Sequence, residues 1–227
     1  MISIFIPIRK GSKRVVNKNF RPIGKYKLGL FEIKIRQLQK LKNINKKYNF
    51  EFIISTDSNK VEKYCKKFKW IKIHKRRKSL AGDHSLQKLI NLVPNICKGN
   101  YILWTHVTSP MFGPKDYINF LNSFFKNKKT ISSSAFSANI IQKFIYTEKA
   151  GWISHNANKN IKWPRTQDLK KLYELNSAAI IAHRKIYIND KNRLCKKPIP
   201  ILTSQNKGFD IDTIEDFKKI KNLRIKF

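Results

Sequence analysis

Short apolar runs bounded by turn residues alternate along this chain with stretches whose apolar positions recur at helical intervals. That alternation limits the fold more than any other feature. Residues 2–6 read as a buried strand ending at Pro7, 30–41 as a helix, 52–55 as a strand, 59–68 as a helix and 70–74 as a short strand. A helix over 86–93, a strand over 101–105 closed by Thr108-Ser109-Pro110, and a helix over 117–125 continue the rhythm. Strands without a polar face need cover on both sides, and helices with one apolar stripe supply it. The pattern therefore predicts an α/β fold: a mostly parallel sheet flanked by helices.

Past Thr130 the rhythm changes. Residues 131–138 read as strand, while 139–176, containing Gly151 and Pro164, show few periodicities and read as an insertion. Strands over 177–182 and 199–202 follow, then a closing helix over 214–225 with Asp212 or Thr213 available as its cap. At 227 residues the chain suits one domain, 1–227, with 139–176 as an inserted arm.

The charge is lopsided: Lys+Arg 49 against Asp+Glu 14 leaves +35. Binding of a polyanion such as DNA or RNA is one explanation. The other is codon bias, since the lysines are spread along the chain and travel with abundant Asn, Ile and Phe. The densest run is only Lys75-Arg76-Arg77-Lys78, and no nucleic-acid reader motif is present, so polyanion binding stays as the rival from a different class. Cys65, Cys97 and Cys195 form no C-x-x-C pair, which argues against a disulfide framework or a zinc knuckle and suits a reducing cytoplasm. Arg9 and Lys10 interrupt the first apolar run, so neither a signal peptide nor a membrane span is expected. The histidines lack metal spacing and the serines lack G-x-S-x-G, which argues against a hydrolase.

Two segments carry chemistry. The first strand runs into Arg9-Lys10-Gly11-Ser12-Lys13-Arg14, then Lys18-Asn19, at the sheet edge where α/β proteins bind ligands. Arg9 can fork onto phosphate oxygens, Lys13 can supply a point charge, and Gly11 lets the backbone approach a ligand. It is not a Walker loop, and a solvated basic turn is the alternative. Near the other end, Asp210-Ile211-Asp212 puts two carboxylates on one side of an extended segment, where both can reach one Mg²⁺; the alternative is that Asp212 only caps the closing helix.

Together, Ile6-Pro7-Ile8-Arg9-Lys10-Gly11-Ser12-Lys13, Lys18-Asn19, Ser55-Thr56-Asp57, Leu80-Ala81-Gly82-Asp83-His84-Ser85, Thr108-Ser109-Pro110 and Asp210-Ile211-Asp212-Thr213 resemble the acylneuraminate cytidylyltransferases, which make CMP-activated sialic acids and related keto-sugars. The resemblance spans essentially the whole chain. It implies a Rossmann-like sheet of the nucleotide-diphospho-sugar transferase type with an inserted dimerisation arm. The implied activity is Mg²⁺-dependent transfer of CMP from CTP to an acidic 2-keto sugar, releasing pyrophosphate, for glycan biosynthesis. A phosphonate or other anionic acceptor is the alternative.

The resemblance also assigns residues. Arg9 and Lys13 would hold the CTP triphosphate, with Gly11 and Ser12 in the same loop. Lys18 and Asn19 would lie near the phosphate and cytidine, and Arg76 and Ser85 would line the base pocket. Asp210 and Asp212 would bind Mg²⁺, so that Arg9, Lys13 and Asp212 form the catalytic set. His106, Lys143, Arg165 and Asn176 would serve the acceptor, with Lys143 and Arg165 reaching into the partner's site of a homodimer. Three departures fall on the acceptor side: His106 stands where Gln is usual, Glu174 where Arg is common, and Ser177 where Gly is common.

Overall fold

The computed structural model describes residues 1–12, 14–80, 82, 85–155, 161–204, 206–222 and 225. Its elements are β1 (Ile2–Ile8), α1 (Gly29–Ile44), β2 (Phe50–Thr56), α2 (Asn59–Cys65), β3 (Ile71–Lys75), α3 (Leu86–Ile96), β4 (Tyr101–Trp104), α4 (Pro114–Asn127), β5 (Ser134–Ile141), β6 (Tyr146–Thr147), β7 (Gly151–Trp152), β8 (Leu172–His183), α5 (Arg184–Asn189), β9 (Ile199–Leu202) and α6 (Ile214–Asn222). The main sheet has seven strands in the order β3-β2-β1-β4-β8-β5-β9. β8 runs antiparallel to both neighbours, and every other pairing in the sheet is parallel. The expected mostly parallel sheet is present.

Period-two side-chain alternation divides the core into two layers. On β1, Ile2, Ile4, Ile6 and Ile8 pack with residues of α1, α2, α4 and α6 on one face. Phe5 joins α3 and α5 on the other, beside Ile53 of β2 and Trp104 of β4. Pro7 does not end β1 as expected. Residue 5 aims its carbonyl at β4, accepting from Thr105 N at 3.1 Å, so residue 7 faces that side too. There β4 has already stopped, its last pair being Phe5 with Trp104, and the missing proline N–H forfeits no ladder bond.

The chain builds β1, β2 and β3 outward in one direction, then crosses back to lay β4 on the other side of β1. Such a reversal opens a crevice beyond the carboxyl ends of the two diverging strands. The segment read as an insertion grows directly from the sheet: β5 and β8 remain paired at Asn139–Glu174, Ile140–Tyr173 and Ile141–Leu172. Beyond them lie the small β6–β7 hairpin and an aromatic cluster of Phe144, Trp152, His155 and Trp163. No helix among the described residues is long and apolar enough to cross a membrane.

Candidate active site

A cleft of about 650 Å³ occupies the crevice between the ends of β1 and β4. Arg9, Ser12, Arg14, Lys18 and Asn19 line it from the loop after β1, and Arg76 and Ser85 from the segment between β3 and α3. Trp104, His106 and Thr108 close it from β4 and the turn beyond. Ser177, Asp210 and Asp212 complete the wall. Residues scattered from one end of the sequence to the other thus meet at one sheet edge.

The aspartates are held by their backbone. Ile211 buries its side chain completely, and its N–H donates to Thr108 O at 2.9 Å, so the residues on either side of it both reach the cleft. Thr213, not Asp212, caps α6: Thr213 Oγ1 accepts from Asp216 N at 3.1 Å and the Asp216 carboxylate accepts from Thr213 N at 2.9 Å, a reciprocal box. Asp212 is released from capping and pairs with Arg14 Nη2 at 2.9 Å and Lys18 Nζ at 3.5 Å. Lys18 Nζ also donates to Ile211 O. Asp210 accepts from Ser109 Oγ at 3.2 Å; burial pushes its carboxyl above the ordinary value, and the like charge of Asp212 adds to the rise while the Thr108 hydroxyl opposes it. Two oxygen-donor carboxylates that repel each other in one cleft suit a hard divalent cation. Among the described residues no third His, Cys, Asp or Glu joins them, so water and substrate would supply the remaining ligands.

Across the cleft, Arg76 is buried, with its guanidinium fixed by Ser55 O at 2.7 Å and Ser55 Oγ at 3.2 Å. Burial lowers its pKa to about 10, Asp57 opposing and Arg9 adding to the shift. Asn19 Nδ2 reaches Arg9 O at 3.4 Å, and the Lys10 N–H donates to Asp57 Oδ1 at 2.8 Å, so the loop after β1 is tied down at two points. His106 Nε2 accepts from the Trp104 indole N–H at 2.9 Å. Indole is a donor only, which leaves Nδ1 as the protonated nitrogen. Burial, and then the charges of Arg193 and Lys34, pull the His106 pKa down to about 3.

A cytidylyltransferase family model matches residues 3–226 of this chain. The chain belongs to that family. It is a nucleotidyltransferase that uses CTP. The post-translational flagellin modification protein B of Campylobacter coli is 24% identical over 232 residues, covering 96% of this chain and 95% of that protein. The structure of a CMP:2-keto-3-deoxy-manno-octonic acid synthetase complexed with CTP shares the fold at a TM-score of 0.60 and 14% identity, over 97% of this chain and 96% of the other. A 4-diphosphocytidyl-2C-methyl-D-erythritol synthase from Anaerococcus prevotii does so at 0.60 and 12%, over 97% and 96%.

The cytidylyltransferase gathers some of the expected residues and leaves others apart. Arg9, Ser12, Lys18, Asn19, Arg76, Ser85, His106, Asp210 and Asp212 share the cleft. Lys13 lies outside the described residues, as do Ala81, Asp83 and His84 of the loop before Ser85. Gly11 is exposed, and a Cβ there would meet open space, so nothing in the protein itself requires glycine. Asn176 does not reach the cleft. Its amide is consumed within the sheet, accepting from Ser137 Oγ at 2.5 Å and donating to Asn139 Oδ1 at 3.0 Å and Thr203 Oγ1 at 2.8 Å. Lys143 and Arg165 stand exposed on the arm, away from this chain's own cleft, with Arg165 paired to Asp168 at 2.9 Å. Glu174 is exposed and takes a hydrogen bond from Asn139 at 3.0 Å. The sequence reading missed Arg14 and Thr108. Both had a signal, Arg14 in the basic loop and Thr108 in the Thr108-Ser109-Pro110 motif, but neither pattern gave the side chain a role.

Proposed function

We propose that this cytidylyltransferase transfers CMP from CTP to an acidic, sialic acid-like 2-keto sugar for glycan synthesis, with Mg²⁺ as its cofactor. The observation that carries the reading is the convergence in one cleft of Asp210 and Asp212 with Arg9, Arg14 and Lys18, the last two ion-paired to Asp212. The cations suit a triphosphate, and Mg²⁺ held by the two aspartates would offset its charge and polarise the phosphoryl group under attack. Arg9 and Arg14 would hold the phosphates in line, which is most of what phosphoryl-type transfer asks of a protein. Buried, anchored Arg76 beside Ser85 would present a fixed edge to the cytosine. The acceptor hydroxyl oxygen then bonds to the α-phosphorus, the bond to the bridging oxygen breaks, pyrophosphate leaves and the hydroxyl proton passes to water. His106 is not the base, because its one acceptor nitrogen is already taken by Trp104.

The solved neighbour whose title names a 2-keto-3-deoxy sugar acid supports a sugar-acid acceptor, and the relative named for flagellin modification supports a role in modifying a larger molecule. Exposure of Lys143 and Arg165 on an arm rich in exposed aromatics supports a homodimer in which they serve the partner's acceptor site, and the free cysteines Cys65, Cys97 and Cys195 suit work in the cytoplasm. Pyrophosphate release from CTP and Mg²⁺, measured over a panel of 2-keto sugar acids and phosphonates, tests the reading. Turnover should appear with a sugar acid, vanish in EDTA and in Asp212→Asn, and fall less severely in Asp210→Asn. Wild-type rates in Asp212→Asn would overturn the metal assignment, and turnover with phosphonates alone would overturn the acceptor.

A further inference from the structure

Lys34 sits on α1 with no exposed surface, outside the cleft and unused by the reading above. Its Nζ donates to Tyr117 Oη at 2.7 Å and to Ser109 O at 3.4 Å. One helical turn later, Gln37 Nε2 donates to Pro110 O at 2.6 Å, so α1 grips two consecutive carbonyls of the Thr108-Ser109-Pro110 turn. Tyr117 Oη lies 2.6 Å from Thr105 Oγ1, which donates its hydrogen to Ala178 O at 2.7 Å. A hydroxyl has one hydrogen, so Tyr117 must donate to Thr105, and Lys34 to Tyr117. The chain of donors is directional and starts at the lysine.

Three points of this network stand one residue from the cleft wall. Thr105 precedes His106, Ala178 follows Ser177, and Ser109 follows Thr108 and bonds Asp210. An amine buried this completely, with no carboxylate among the described residues in ion-pair contact, costs stability that an apolar side chain would not. Burial draws its pKa down to about 7, with Asp210 acting in the opposite sense through space. Tyr117 and the turn would fold around a methionine. The feature such a residue would lose is the fixed position of the Asp210 wall.

We propose that Lys34 is a positioning residue that locks the Ser109–Pro110 turn, and through it Asp210, in the geometry that receives the metal-bound nucleotide. The inference rests on the Mg²⁺ reading above, and the test separates the two. CTP is titrated calorimetrically into the whole protein in EDTA and again in Mg²⁺. Wild type should gain about tenfold or more in affinity from Mg²⁺, and Lys34→Met should lose about that factor, the size of one charge-assisted contact. Lys34→Met should keep its Mg²⁺-free CTP affinity and an equal or higher melting temperature, and Lys34→Gln, which retains a donor, should recover part of the gain. A full Mg²⁺ gain in Lys34→Met overturns the proposal. So does a fall in both melting temperature and Mg²⁺-free binding, because that is a purely structural role. Absence of any Mg²⁺ gain in wild type overturns the metal reading and this inference with it.

Discussion

Ser177 has φ 61, a left-handed backbone at a residue with a side chain, beside the irregularity where β5 and β8 slip register between Phe136 and Ala138. The resemblance to the acylneuraminate enzymes marks this as a place where glycine is common, and the backbone explains why. Ser177→Gly should relieve strain and raise unfolding stability by about 1 kcal/mol, read from urea denaturation. His106 permits a second prediction. With its pKa held near 3 instead of 6.5, the folded protein refuses a proton that the unfolded chain accepts between those values, so stability falls as pH drops through that window. The ring resonances of His106 should stay flat in an NMR titration from pH 8 to 5, and His106→Gln should flatten that part of the stability profile. The paired aspartates were legible because an i, i+2 spacing is a geometric statement in itself. The role of Asn176 was not, since it depends on partners 39 and 37 residues upstream that only the register brings together.

At the scale of elements, most strands and helices were readable because each carries its own period, and the misses were local. α5 has 6 residues, too few to display a helical stripe, and is started by His183 Nδ1 accepting from Lys185 N at 3.1 Å. Lys34 was readable in principle: it falls between Leu30 and Leu38 at four-residue steps on the stripe of α1 that the sheet covers. The loop leading to the aspartates is braced in a way the sequence conceals. A Cβ on Gly208 would stand 2.0 Å from Asn139 Oδ1 and 2.3 Å from Asn176 Nδ2. Gly208→Ala should therefore cost about 1–3 kcal/mol in denaturant unfolding, as overpacking of a fixed polar cluster does. A change below a few tenths would show that the loop moves freely against the sheet.

For the whole molecule, the alternation of strand and helix foretold a parallel sheet, but not the order of its strands, because order is set by which faces remain uncovered after each crossover. The exposed aromatics of the arm, among them Trp163 at 69% and Phe144 at 37%, form a patch of the kind that marks an association surface. Sedimentation at micromolar concentration should find a dimer, and Phe144→Ser with Trp163→Ser should leave a folded monomer; an unchanged dimer would place the contact elsewhere. Strand order also has a consequence for biosynthesis. β4 receives its second neighbour only when β8, the penultimate strand, has emerged, because β5 and the arm are made first and lie farther out. For about ten seconds at ordinary elongation speeds, the nascent chain carries an unsealed edge along Leu103 and Trp104. Through all of that time the basic loop exists without Asp210 and Asp212, so a ribosome stalled before β8 would leave a polycation with a sticky edge, prone to meet RNA or its own copies before it can meet its substrate.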